Sequence, residues 1–213
     1  LNCDATEVIY LTTAAGELYA LDAATGVNYS GWAVNPVMLD GDPTHTLSSN
    51  EVDVIYVGTG GEFSTGNGTI YAIDACTGNI VWSLGEGDLE GPALSGLTNP
   101  GEIFQGPLAV DLNGAVYAIT GFNNSEGAPS GGVYRFDNGS ITWAKGGQFP
   151  RYTGPVIDAG NILVQYLRFW SSEPETMAAY RKNSGSVTWE SDPAFNGLNW
   201  VEGALSCEEQ APD

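Results

Sequence analysis

One fifteen-residue stretch, Gly68-Thr-Ile-Tyr-Ala-Ile-Asp-Ala-Cys-Thr-Gly-Asn-Ile-Val-Trp82, constrains the fold more than any other, because the remainder of the chain repeats it in weaker copies. Ile70 and Ile73, with Tyr71 and Ala72 around them, have the β-branched and aromatic character of a short, largely buried strand. Asp74 then opens a tight connection: its short carboxylate can accept backbone N–H groups two or three residues on, and Gly78 can supply the positive φ that reverses the chain. Ile80, Val81 and Trp82 resume a strand. The unit is therefore a hairpin ending in a large aromatic anchor whose indole N–H needs a partner.

The copies follow in order. Leu1 to Thr13 lines up without a gap on Leu108 to Thr120, so the chain enters inside a repeat. Gly16-Glu-Leu-Tyr-Ala-Leu-Asp-Ala-Ala-Thr-Gly26 matches the unit closely, but Tyr29 and Trp32 flank the anchor position, and the first anchor stays open between them. The second repeat runs from Pro36-Val-Met-Leu-Asp40 through an insertion carrying His45 to Val54-Ile-Tyr-Val-Gly-Thr-Gly60 and the unit itself. The third contains Gly106 to Asp111, Ala115 to Gly121, Gly132 to Asp137 and Gly139-Ser-Ile-Thr-Trp143. The fourth contains Gly154 to Asp158, Asn161 to Tyr166, Met177 to Tyr180 and Gly185-Ser-Val-Thr-Trp189.

The turn glycines lie 52 residues apart from Gly26 to Gly78, 61 from Gly78 to Gly139 and 46 from Gly139 to Gly185. Periods of this size with four strands each read as β-propeller blades. The expected fold is all-β: one domain over 1–213, with four four-stranded blades at 1–32, 36–84, 106–144 and 154–190. A fragment of a propeller with more blades is the alternative. The unequal spacings mark insertions at 41–53, 85–105, 121–131 and 168–176, the expected functional surface.

Ala72-x-Asp74-x-x-Thr77-Gly78-x-x-x-Trp82 resembles the tryptophan-docking motif of the pyrroloquinoline-quinone-like β-propeller repeats. The resemblance implies that each Trp packs on the turn Gly of a neighbouring blade: Trp82, Trp143 and Trp189 are the anchors, and Gly78, Gly139 and Gly185 the turn glycines. Asp22, Asp74 and Asp137 are then structural acceptors in the turns. The fourth repeat departs with Arg181 at the Asp position, the third turn is shorter, and four repeats are fewer than the seven or eight blades usual in that superfamily. Its enzymes use adjacent cysteines and a set of acidic and Asn ligands around calcium and the quinone. No adjacent cysteines occur here, so the resemblance implies the scaffold without the cofactor.

The tail Gly203-Ala-Leu-Ser-Cys-Glu208 aligns with Gly106 to Asp111 and reads as a closing strand that completes the repeat Leu1 enters. Cys3 and Cys207 then share a strand position. The expectation is a four-blade ring stapled by a Cys3–Cys207 disulfide, worth ~4 to 5 kcal/mol in the chain-entropy model; two small buried thiols at equivalent positions are the alternative. Cys76 reads as a lone, partly exposed thiol, since no His or Lys lies near it in sequence to depress its pKa.

Six Lys plus Arg against 26 Asp plus Glu give a net charge of −20, which disfavours nucleic-acid phosphates and anionic membrane surfaces. No apolar run reaches the roughly 18 residues of a membrane-spanning helix. Leu1 is not an initiator Met and no signal pattern precedes it, so a processed or partial product is expected. An extracytoplasmic setting is expected: secreted, periplasmic, or an organelle lumen such as that of the thylakoid. Sequons begin at Asn28, Asn67, Asn123 and Asn138 and are candidate glycosylation sites, although about two would arise by chance in such a composition.

Catalytic patterns are weak by comparison. The single histidine, His45, lies in a polar insertion and reads as an exposed loop residue; it excludes a His-rich zinc site. Asp40, Asp42 and Glu51 offer oxygen ligands for calcium, without the spacing of an EF-hand. Gly60, Gly61, Gly66 and Gly68 lack the helix and the Lys of a phosphate cradle. Arg168, Phe169 and Trp170 form a binding edge or pack beneath a loop. The reading is a non-catalytic scaffold that recognises a protein partner, one with a basic surface, through its inserted loops; no cofactor is expected. A truncated quinoprotein dehydrogenase and a calcium- or carbohydrate-binding lectin-like surface are the alternatives.

Overall fold

The computed structural model describes residues 2–3, 6–39, 48–49, 53–59, 68–85, 102–104, 107–122, 131–147, 154–166 and 176–191. Within them every regular element is a strand, and the strands form four antiparallel meanders. The first sheet is β1 (Asn2–Cys3), β2 (Thr6–Thr12), β3 (Glu17–Asp22) and β4 (Val37–Met38). The second is β5 (Ser48–Ser49), β6 (Val54–Gly58), β7 (Ile70–Asp74) and β8 (Ile80–Leu84). A short β9 (Glu102–Phe104) pairs with the far end of β11 (Val116–Phe122) in the third sheet, which also contains β10 (Ala109–Val110), β12 (Gly131–Asp137) and β13 (Ser140–Gly147). The fourth is β14 (Val156–Asp158), β15 (Asn161–Tyr166), β16 (Thr176–Arg181) and β17 (Val187–Glu190). This is an all-β assembly of propeller-type blades.

The core lies between successive sheets, in three layers. Val8, Leu18 and Ala20 meet Ile55, Val57, Tyr71 and Ile73 between the first two sheets. Ile70 and Ala72 meet Val116, Ala118 and Phe136 in the next layer, and Tyr117, Ile119 and Val133 meet Ile162, Val164 and Tyr180 in the last. An inner sheet is thus covered on both faces, which is why the Ile70–Ile73 run is apolar at consecutive positions rather than alternating. Strand β2, covered on one face only, alternates instead. The short inner strands β5 and β14 both lie against β10, and a Cβ on Gly154 would stand 2.6 Å from the Pro107 carbonyl oxygen, so the backbones approach closely there.

The third and fourth strands of the last three sheets share one irregularity. The ladder skips a residue so that Trp82 faces Ala72, Trp143 faces Arg135 and Trp189 faces Ala179. This bulge re-aims the residues before each Trp, and the Trp82 and Trp143 rings lie against the turn glycines of the following sheets.

The boundary between the first two repeats differs from expectation. The second repeat does not start at Pro36 as its sequence suggests: Val37 pairs with Leu18 and Met38 with Glu17 as the outer strand of the first sheet. The second sheet begins at Ser48–Ser49. The reason is a detour: the outer strand starts at Asn28, opposite Leu21, leaves the sheet to carry Trp32 onto the turn of the second sheet, and returns at Val37. Across the gap the Asn35 side chain imitates a strand residue, with the Ala20 N–H donating to Oδ1 at 3.3 Å and Nδ2 donating to the Ala20 carbonyl at 2.7 Å. The closing strand expected at 203–208 lies outside the described residues.

Candidate functional site

The chemistry on the described residues is concentrated at the seams between sheets. At each seam an indole lies flat on a turn glycine: a Cβ on Gly78 would stand 2.7 Å from Trp32 Cδ2, one on Gly139 3.0 Å from Trp82 Cγ, and one on Gly185 2.6 Å from Trp143 Cε3. All three glycines have positive φ, 73°, 75° and 62°. Glycine is required twice over, for the turn and for the ring. Trp32 is therefore the first anchor, and Tyr29 is a buried neighbour in the same layer.

The turns that receive the rings are built by their acids. Asp74 Oδ1 accepts the N–H of Cys76 and Thr77 and the Thr77 hydroxyl at 3.1, 2.7 and 2.7 Å, and Asp22 Oδ1 does the same for Ala24 and Thr25. The hydrogen bonds from Thr25 hold the Asp22 carboxyl below its ordinary range. In the third repeat Asn138, with a φ of 48°, and Gly139 make a two-residue hairpin turn, the favoured Asn-Gly connection. Asp137 is thereby released to face Arg135.

Two seams carry a second polar tie. The Ala75 carbonyl accepts both Trp32 Nε1 at 2.8 Å and the Tyr10 hydroxyl at 2.9 Å. The Lys182 carbonyl accepts Trp143 Nε1 and Arg135 Nη1, each at 2.7 Å. Arg135 also grips Asp137 with both ends of its fork, at 2.9 Å each, and lies 5.8 Å from the centre of the Tyr117 ring. Burial pushes the Asp137 carboxyl up, but the bonds from Arg135 and from the Thr142 hydroxyl outweigh it, and the group sits below its ordinary range. Burial pushes Tyr10 and Tyr117 up to about 12, so both stay neutral donors at physiological pH. Tyr117 in turn donates to Asp111 Oδ2 at 3.4 Å.

The cysteines correct the sequence reading. Cys3 does not pair with Cys207; it is bonded to Cys76, with a Cα–Cα distance of 5.3 Å, and joins β1 to the β7–β8 turn. The cause is the seam itself. Docking Trp32 on Gly78 brings the whole second turn against the first sheet, and Cys76 comes with it. Cys76 is thus a structural half-cystine rather than a lone thiol, and Cys207 lies outside the described residues.

Other expected site residues are scattered or undescribed. His45, Arg168, Phe169 and Trp170 lie outside the described residues, as do Asp40, Asp42, Glu51, Asn67 and Asn123. Asn28 is exposed and its amide donates to the Asn35 carbonyl at 3.4 Å; Asn138 is exposed at its hairpin tip. Trp189 is 44% exposed, unlike Trp143 at 7%. Among the described residues no group of three His, Cys, Asp or Glu is placed to hold a metal ion. The structure decides the first anchor, left open between Tyr29 and Trp32, in favour of Trp32; sequence reasoning missed Arg135 and Asn35. Arg135 had a signal in its place one residue before the Phe136-Asp137 pair, but its partner Lys182 belongs to another repeat.

The sequence profile of a family described as outer membrane protein assembly factor BamB matches residues 3–127. No curated protein matches the chain. Among solved structures, BamB from Moraxella catarrhalis is 17% identical with a TM-score of 0.45, over 90% of this chain and 62% of that one. A europium-containing methanol dehydrogenase is 19% identical with a TM-score of 0.51, over 92% of this chain and 41% of that one. The quinohemoprotein alcohol dehydrogenase ADHIIG from Pseudomonas putida HK5 is 18% identical with a TM-score of 0.51, over 86% and 33%. The chain thus spans less than two thirds of each of these proteins.

Proposed function

The chain belongs to the family described as outer membrane protein assembly factor BamB, and from that premise we propose that it is a non-catalytic propeller scaffold. It holds a protein partner through its inserted loops as an accessory of outer-membrane protein assembly. The observation that carries this reading is the use made of the recurring anchors and their polar neighbours: Trp32, Trp82, Trp143, Tyr10 and Arg135 all join one sheet to the next. The insertions, by contrast, differ in every repeat. The likeness to the dehydrogenases is a likeness of fold and does not by itself carry their chemistry to this chain.

The Cys3–Cys76 bond supports an oxidising, extracytoplasmic setting. The charge of −20 supports a partner with a basic surface, whose affinity falls as salt rises. The test is quantitative capture of envelope proteins by the purified chain and by deletions of 85–105 and of 168–176. One partner enriched over controls, weakened by either deletion and by salt, is expected. Capture unchanged by both deletions removes the loop assignment. Redox-dye turnover after addition of pyrroloquinoline quinone and calcium reinstates the dehydrogenase alternative, and calcium-dependent glycan binding the lectin-like one.

A further inference from the structure

The four turn glycines are equivalent in the repeat but not in what holds their backbone. The N–H groups of Gly26, Gly78 and Gly185 donate to the carbonyls four residues back, those of Asp22, Asp74 and Arg181, at 2.8, 2.9 and 2.9 Å. The residues before these glycines are Thr25, Thr77 and Ser184. At Gly139 both features change. The third turn is shorter, with only Asn138 and Gly139 between the paired Asp137 and Ser140, so the carbonyl that would receive the glycine N–H is out of register. Among the described residues the Gly139 N–H has no hydrogen-bond acceptor. The residue before it is Asn138, exposed at the hairpin tip.

That combination sets a nucleophile beside an electrophile. The main-chain nitrogen after an Asn reaches the side-chain amide carbon by closing a five-membered ring, and because both groups belong to one chain no encounter is needed. A glycine at the second position has no Cβ to obstruct the approach. The nitrogen must lose its proton to attack, and an N–H engaged with a carbonyl retains it. We propose that Asn138 is a site of self-modification by deamidation. The Gly139 nitrogen gives its proton to hydroxide and bonds to Asn138 Cγ; the Cγ–Nδ2 bond breaks, and Nδ2 leaves as ammonia after taking a proton from water. Water then opens the cyclic imide at either carbonyl, leaving aspartate or isoaspartate. The balance is one amide and one water converted to one carboxylate and one ammonium ion, with no change of oxidation state.

The chain carries its own control. Asn113-Gly114 is the same dipeptide, and Gly114 also has positive φ, 81°. Its N–H, however, donates to the Asp111 carbonyl at 2.9 Å, and the Asn113 N–H donates to Asp111 Oδ1 at 2.9 Å. Asn113 is therefore protected in the folded chain and Asn138 is not. The product matters because of where the turn lies. A Cβ on Gly139 would stand 3.0 Å from Trp82 Cγ, so the indole rests on this glycine. Isoaspartate diverts the main chain through the former side chain and lengthens it by one carbon, which displaces Gly139 from the ring in a seam packed without slack. Either product also adds a negative charge next to Asp137.

The test uses the whole chain, produced without glycosylation because Asn138 begins a sequon. It is incubated in heavy-oxygen water at neutral and mildly alkaline pH, once folded and once unfolded in urea with the disulfide reduced. Peptide masses then give the rate at which Asn113 and Asn138 each lose the amide, and the heavy oxygen marks conversion during the incubation. In the folded chain Asn138 is expected to convert several-fold faster than Asn113 and faster at the higher pH, with isoaspartate detected by enzymatic methylation; in urea the two rates converge. A folded chain in which Asn138 converts no faster than Asn113, or keeps its amide, overturns the proposal, and so does a ratio that urea leaves unchanged, since sequence rather than fold would then set it. The isoaspartyl form, separated by ion exchange, is compared with Asn138→Asp, which has the same charge and the normal backbone. A lower urea midpoint for the isoaspartyl form is expected, and equal midpoints overturn the effect on the seam.

Discussion

Gly26 and Gly78 form a natural experiment on what a seam is worth. Their turns share the Asp carboxylate, the donors and the φ, 70° against 73°; they differ in that Trp32 covers Gly78 and nothing stands within 4 Å of a Cβ on Gly26. Replacing either by Ala costs about 1 to 2 kcal/mol for placing a side chain in the left-handed region. At Gly78 the new methyl would also stand 2.7 Å from Trp32 Cδ2. The ring cannot withdraw freely, because it is 4% exposed and its Nε1 is tied to the Ala75 carbonyl at 2.8 Å. Overpacking of this kind adds about 1 to 3 kcal/mol. Gly78→Ala is thus expected to cost ~2 to 5 kcal/mol in total. The assay is urea unfolding followed by tryptophan fluorescence, with the protein dilute enough to be monomeric in each case. Equal losses in the two variants, or a larger loss for Gly26→Ala, would refute the claim that the indole packing at the seam, rather than the turn alone, demands glycine.

Three further outcomes follow from the same geometry. Replacing Cys3 and Cys76 by Ala opens a cross-link spanning 73 residues; the chain-entropy model gives a loss of ~4 kcal/mol, read as a drop in urea midpoint that reducing agent reproduces in the parent chain and leaves unchanged in the variant. Asn35→Ala removes both bonds to Ala20 and leaves its N–H without that acceptor, so a loss of ~1 to 3 kcal/mol and faster hydrogen exchange at the Ala20 amide are expected. The Asp137 carboxyl sits below its ordinary value of 3.8 in the folded chain. Its contribution is therefore whole above that value and is lost as pH falls through the depressed folded one. Urea midpoints taken from about pH 7 to about pH 2 should fall less steeply for Asp137→Asn than for the parent.

The blade hairpins were legible because their signals are local. Asp74, Thr77 and Gly78 lie within five residues and bond within the same turn, so spacing alone conveys the geometry. The fourth repeat remained readable despite Arg181, because its turn still closes through backbone bonds, with the Gly185 N–H donating to the Arg181 carbonyl at 2.9 Å. The outer strand of the first sheet was not legible. Its continuity depends on an amide side chain at Asn35 standing in for backbone, and nothing in the composition of residues 29–36 distinguishes that detour from the start of a new repeat.

The disulfide was legible in principle, because the motif that gives the fold also places it. Cys3 and Cys207 occupy equivalent strand positions, a relation between repeats in sequence. The docking motif makes a different statement: the Trp of one sheet rests on the turn of the next, so the turn lies beside the preceding sheet. Applied to Gly78, that relation puts Ala75 and Cys76 against the first sheet, which is where Cys3 lies. The same contact brings the Ala75 carbonyl to Trp32 and Tyr10 and the Cys76 sulfur to Cys3. A seam read as a three-dimensional neighbour relation, rather than as a recurring word, predicts both. It also predicts that covalent or ionic reinforcement elsewhere will join a turn to the sheet before it, as Arg135 already does by donating to the Lys182 carbonyl.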